Sequence, residues 1–235
     1  MIRFLASVRD AAEAQTALAG GAHVIDLKEP ALGALGAVPS PTVKDVVRLV
    51  AGRAQVSATI GDMDLDPEVV AQAVAERDGT GVDLVKIGIF QGDVAGTFAC
   101  LKSLADRGVK MVAVVLADRT LVPEALIPVA AASGFVGIML DTAGKASGGL
   151  LSHITLDQAG RFVTAAKDHG LLCGLAGSLR LDDIDSLRPL KPDYLGFRGA
   201  LCSGGREGAL DDQRLRAVAA RIATADAVTA ACPHS

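Results

Sequence analysis

Eight short runs of aliphatic and β-branched residues recur along this chain, each followed by a longer amphipathic run, and this alternation limits the fold more than any other feature. The short runs occupy 4–8, 24–28, 55–60, 84–89, 110–117, 136–141, 171–176 and 194–198. Helical periodicity fills 10–19, 41–51, 67–78, 93–107, 123–132, 155–169, 180–187 and 210–224, with start signals such as Ser40 before Pro41 and Asp66 before Pro67. A strand that must reach a parallel neighbour needs a crossover, and a helix supplies it. Eight such units in 235 residues match the arithmetic of a (β/α)8 TIM barrel, which usually takes about 250 residues. The sequence therefore predicts an α/β fold with one barrel domain over 1–235, with a doubly wound open sheet as the runner-up.

Side-chain parity favours the barrel, because alternate residues of a barrel strand face the interior and the helix layer. Ile25, Leu27, Val85, Ile87, Ile138, Leu140, Leu195 and Phe197 form one set, all apolar and suited to lie under helices. The other set is polar or small: Asp26 and Lys28, Lys86 and Gly88, Met139 and Asp141, Gly196 and Arg198, with Ser7, Ser57, Thr59, Gly174, Ala176 and Ser178 nearby. Charged residues facing inward near the C-terminal ends of several strands are what a barrel active site needs. Asp26, Lys28, Lys86, Asp141 and Arg198 fall on the second, fourth, sixth and eighth strands, which share interior layers.

Two inward lysines have a chemical consequence. Ammonium groups about 6 Å apart at an effective dielectric of about 20 repel by about 3 kcal/mol, which favours a neutral amine able to attack a carbonyl. Asp26 could offset the repulsion by pairing with either lysine, or could relay protons. Anion handles are expected in the loops after the seventh and eighth strands, where barrels often hold phosphate: Gly177 and Ser178, Arg198 and Gly199. A further glycine-flanked loop over 141–149 carries Lys145 and suits a lid over an anionic substrate.

Composition narrows the function. Aromatics are 3% with no Trp and one Tyr, so base-stacking platforms are a poor explanation and the core must be aliphatic. Lys plus Arg number 23 against 27 Asp plus Glu, a net charge of -4 that disfavours nucleic acid. No apolar run approaches the roughly 20 residues that span a bilayer, and residues 1–5 lack a signal-peptide core, so no membrane role and a cytoplasmic location are expected. Cys100, Cys173, Cys202 and Cys232 form no C-x-x-C, and the four histidines show no ligand spacing, so no metal is expected. Cys202 reads as an ordinary loop thiol, and His23 falls on the helix-facing side of the second strand. Nothing in the pattern fixes an oligomeric state, and it leaves room for a homo-oligomer.

Four segments, VIDLKEPALGALG at 24–36, DLVKIG at 83–88, DTAGK at 141–145 and GFRGALC at 196–202, resemble the (5-formylfuran-3-yl)methyl phosphate synthase family of methanofuran biosynthesis. The resemblance runs over nearly the whole chain and implies a (β/α)8 barrel. It implies condensation of two molecules of glyceraldehyde 3-phosphate into a phosphorylated furan aldehyde, with loss of phosphate and water and without metal or organic cofactor. By motif, Lys28 would form the Schiff base and Lys86 would transfer protons. Asp26, Asp141 and Lys145 would support them. Two phosphorylated substrates would need two anion sites: Gly177, Ser178, Arg198 and Gly199 for one, Lys145 with Arg206 for the other. The alternative enzyme is a class I aldolase or a triose-phosphate isomerase-like barrel, and an inert phosphate-sugar binding barrel is the alternative of another class.

Overall fold

The computed structural model describes residues 1–120, 122–144 and 148–230, with 224–230 as backbone only. Its strands are β1 (Arg3–Val8), β2 (Val24–Leu27), β3 (Gln55–Thr59), β4 (Leu84–Gly88), β5 (Met111–Leu116), β6 (Gly137–Asp141), β7 (Leu172–Leu175) and β8 (Tyr194–Phe197). Between and after them run α1 (Ala11–Ala19), α2 (Ser40–Val50), α3 (Pro67–Asp78), α4 (Val94–Ala105), α5 (Ile127–Ala132), α6 (Leu156–Asp168), α7 (Asp183–Leu187) and α8 (Asp212–Ala230). Every strand pairs in parallel with the next, and β8 pairs with β1, so the sheet closes into a (β/α)8 barrel.

Local chemistry explains where the helices begin. The Asp10 carboxylate accepts the Glu13 amide ahead of α1, and Asp66 accepts those of Glu68 and Val69 ahead of α3. Thr155 and Gln158 form a reciprocal capping box at α6. Two helices depart from the sequence expectation. The stretch over 123–132 begins as a 3-10 turn at Pro123–Leu126 before α5, and α7 starts at Asp183 rather than 180. There the Arg180 amide donates 2.7 Å to the Asp183 carboxylate, a side-chain turn that competes with helix.

Packing splits by the alternation read in the sequence. Ile25, Leu27, Val85, Ile87, Ile138 and Leu140 join the layer between sheet and helices. Leu5, Val24, Leu84, Val112, Met139 and Tyr194 form a second cluster inside the barrel. Gly174 makes room for it, since a Cβ there would lie 2.1 Å from the Tyr194 ring. At the N-terminal end of the barrel, residues preceding alternate strands accept orphan amides of their neighbours. His23 Nδ1 accepts the Phe4 N–H (3.1 Å), Asp83 that of Val56 (2.7 Å) and Asp193 that of Cys173 (2.7 Å). His23 thus lies ahead of β2 and ties it to β1, rather than facing the helix layer. Among the described residues no helix is long and apolar enough to cross a membrane.

Candidate active site

The barrel register sets a row of polar side chains across three strands. Ser7 on β1 lies level with Asp26 on β2, and Asp26 with Ser57 on β3. Asp26 is fully buried. Ser57 Oγ donates to one of its oxygens at 2.6 Å, Ser7 Oγ to the other at 3.1 Å, and Lys86 Nζ lies 3.0 Å from both. Two residues beyond Asp26, just past the end of β2, Lys28 Nζ meets Asp141 Oδ2 at 3.3 Å. The other Asp141 oxygen accepts the Thr142 N–H at 2.7 Å. Each lysine therefore has its own carboxylate. Of the two pairings open to Asp26 the structure has the one with Lys86, and the expected repulsion between two ammonium groups gives way to two buried ion pairs, because β6 supplies a second acid opposite Lys28.

The two lysines differ in what they can reach. Lys28 lines a cavity of about 330 Å³ together with Pro30, Ser178, Arg180, Gly199 and Arg206, a volume within the usual range of roughly 300–1,000 Å³ for small-molecule sites. Lys86 does not line it. Lys86 and Asp26 line a void of about 20 Å³, whose walls also include Lys28 and Asp141. A larger open hollow of about 980 Å³ runs outside the barrel along α6, past Arg161 and Leu190, and has none of these groups.

At the β7 end, Gly177 and Ser178 both take left-handed backbone (φ 101° and 50°). The amides of Gly177, Ser178 and Leu179 donate to no acceptor among the described residues, nor do those of Gly199 and Ala200. Donors of this kind at a tight turn are what an anion requires. Arg180, exposed beside Ser178, is a cavity residue that sequence reasoning missed, because 180 was counted as the first residue of a helix.

Arg198 has a different place from the one expected. All its N–H groups are engaged: Nε with the Arg206 carbonyl (2.7 Å), Nη1 with the Ser7 carbonyl (3.1 Å) and Glu13 (2.5 Å), Nη2 with Glu13 (3.1 Å) and the Gly208 carbonyl (3.0 Å). Its guanidinium edges the cavity as a clasp joining β8, β1, α1 and the loop after β8, and has no donor left for a phosphate. Burial pushes the Glu13 carboxyl up, but hydrogen bonds from Arg198 and Arg9 outweigh it and hold the group below the usual carboxylate range. Arg206 donates to the carbonyls of Pro30 and Gly33 and lines the same cavity as Ser178 and Gly199, rather than a separate one. Cys202 is buried, donates to the Arg198 carbonyl at 3.3 Å, and has its thiol pushed up by burial, which disfavours the thiolate.

Two carboxylates brace the loops of the mouth. Asp62 accepts the amides of Ala34 (2.8 Å) and Leu35 (2.6 Å) after β2, and Asp118 those of Ala143 (2.8 Å) and Gly144 (2.6 Å) after β6. Lys145, next in that loop, lies outside the described residues. Among the described residues no group of three His, Cys, Asp or Glu side chains could hold a metal ion.

Residues 4–219 match the family model described as 4-HFC-P synthase. The chain belongs to this synthase family. A protein of Methylorubrum extorquens that carries the name (5-formylfuran-3-yl)methyl phosphate synthase provisionally is 44% identical over 214 residues, 91% of this chain and 88% of its own. The (5-formylfuran-3-yl)methyl phosphate synthase of Methanopyrus kandleri is 35% identical over 94% of this chain and 99% of its own. Solved structures similar in fold include a phosphoribosyl anthranilate isomerase from Thermus thermophilus, with TM-score 0.63 at 14% identity, covering 95% of this chain and 99% of that one. A thiamine phosphate pyrophosphorylase from Pyrococcus furiosus has TM-score 0.63 at 10% identity over 94% of this chain and 95% of its own. At such identities the likeness concerns the barrel alone. The 4-HFC-P synthase family membership makes this chain an enzyme.

Proposed function

We propose that this enzyme is a lyase-type (5-formylfuran-3-yl)methyl phosphate synthase, joining two molecules of glyceraldehyde 3-phosphate through a lysine Schiff base, in the service of methanofuran biosynthesis. The observation that carries the role assignment is that Lys28, and not Lys86, lines the 330 Å³ cavity. Lys28 must shed a proton before it attacks a carbonyl, and Asp141 at 3.3 Å is placed to accept it. Attack gives a carbinolamine, which loses water to leave a cationic imine. That cation withdraws electrons from the neighbouring carbon and acidifies its C–H bond. Lys86, oriented by Asp26, transfers protons there during isomerisation, aldol addition and elimination. Over the whole reaction one phosphate and two waters leave, and the aldehyde carbon of the furan stays at the same oxidation level.

The phosphates are charged and need donors. Ser178 and Gly199 offer backbone amides on the cavity and Gly177, beside Ser178, offers another, while Arg180 and Arg206 offer guanidinium groups on the same cavity as Ser178. Lys145, carried by the loop that Asp118 braces, is assigned to the second substrate with Arg206. The protein is incubated with glyceraldehyde 3-phosphate alone, one half reduced with borohydride, and both halves read by mass spectrometry. A furan aldehyde phosphate in one half and a triose adduct on Lys28 in the other are expected. Lys28→Arg abolishes the adduct, because a guanidinium forms no imine under these conditions. Lys86→Arg keeps the adduct and loses the product. An adduct at wild-type yield in Lys28→Arg would reverse the roles. A hexose product would mean an aldolase instead.

A further inference from the structure

Two serines flank Asp26 and have no part in the chemistry so far. Barrel interiors are filled mainly by branched aliphatic side chains, and a hydroxyl buried among them costs free energy unless it is bonded. Ser7 and Ser57 are buried, on the strands either side of β2 and level with Asp26. Each gives its hydroxyl to Asp26, at 3.1 Å and 2.6 Å, and to different oxygens. We infer that Ser7 and Ser57 are positioning residues that fix the Asp26 carboxylate toward Lys86 and so keep the two lysines chemically distinct.

The geometry gives the reason. Asp26 on β2 and Lys28, two residues on and just past the strand's end, both line the small void beside Lys86, so an unrestrained Asp26 carboxylate has two ammonium groups to choose from. A carboxylate has about four acceptor positions. Here one serine on each oxygen and the Lys86 ammonium at 3.0 Å from both occupy them. Turning the carboxylate toward Lys28 breaks both serine bonds, and at 0% exposure no bulk water replaces them. Asp26 thus stays with Lys86, and Lys28 is left to Asp141. This inference rests on the proposed reading in which Lys28 forms the imine and Lys86 moves protons.

The test uses the full chain with Ser57→Ala, Ser7→Ala and Ser57→Thr. Four quantities are read: kcat, KM for glyceraldehyde 3-phosphate, borohydride trapping on Lys28, and exchange of substrate C–H hydrogen with deuterated water. Folding is followed by circular dichroism. In Ser57→Ala, kcat and exchange fall roughly 10- to 100-fold, the effect of losing one hydrogen bond to a charged group, while KM and trapping stay within about twofold. Ser7→Ala, with the longer bond, shows a smaller loss in the same sense, and Ser57→Thr, which keeps the hydroxyl, recovers most of the rate. Should Ser57→Ala prove unfolded, Ser7→Ala and Ser57→Thr decide alone. Wild-type kcat and exchange in both alanine variants overturn the inference, as does a parallel loss of trapping and rate, which marks a merely structural role. A wild-type enzyme with neither adduct nor product instead defeats the reading beneath it, before any variant is made.

Discussion

Glu13 shows how one buried residue can organise a mouth it does not line. It sits in the first turn of α1 yet binds Arg198 from the end of β8 and Arg9 from the end of β1. Arg198 and Arg9 in turn hold the carbonyls of Arg206, Glu207 and Gly208. Removing one partner of a buried ion pair leaves the other uncompensated, so Glu13→Gln is expected to cost about 3 kcal/mol in urea unfolding at pH 7. Because the Glu13 carboxyl is held down in the folded protein, its contribution is present above the unfolded value near 4.5 and is lost as pH falls through the lower folded value. The gap between wild type and Glu13→Gln should therefore close on acidification below about 4.5, and a gap unchanged at pH 3 would contradict the account. None of this was visible in sequence. Asp26, Lys28, Lys86 and Asp141 were, because charge at inward parity is rare. Glu13 looks like any acid in a first helical turn, and Arg198 had the parity of a site residue but the partners of a clasp.

At the scale of elements, adjacent loops hold each other. The loops after β2 and β6 are each braced by a carboxylate from a loop beside them: Asp62 after β3 and Asp118 after β5. Burial pushes the Asp118 carboxyl up, but hydrogen bonds from the Ala143 and Gly144 amides outweigh it and hold the group below the usual carboxylate range. Asp118→Ala removes both of these hydrogen bonds and is expected to cost about 1–2 kcal/mol, with faster hydrogen exchange at 143 and 144 as the local sign. Asp118→Asn keeps one acceptor oxygen and should cost less. Unchanged exchange at both amides would show that the brace is not needed. The strands and most helices were legible because periods of 2 and 3.6 are written in single side chains. The late start of α7 was not, since it depends on the Asp183 carboxylate reaching back to the Arg180 amide. That one shift also concealed Arg180 as a cavity residue.

For the whole molecule, closure matters most. β8 pairs with β1, so no strand is an edge and neither half of the barrel keeps its ladder without the other. Tyr194, the one tyrosine in a chain without tryptophan, lies on β8 inside the barrel and reports on that closure. Its fluorescence and the far-ultraviolet circular dichroism are expected to change together through urea unfolding, as one cooperative unit requires. A tyrosine transition well ahead of the dichroism would mean that β7 and β8 open separately and that 1–235 is more than one folding unit. The sequence by itself determined the eight-unit rhythm, the two-sided strands and the five inward charges, because each is a local periodicity of hydrophobic and polar residues. Which acid partners which lysine, which lysine meets the cavity, and which arginine is spent on the protein's own carbonyls were decided only by tertiary structure. Those are contacts between residues far apart in the chain, set by the register of β1, β2, β3 and β6 around a closed barrel, and no local pattern encodes them.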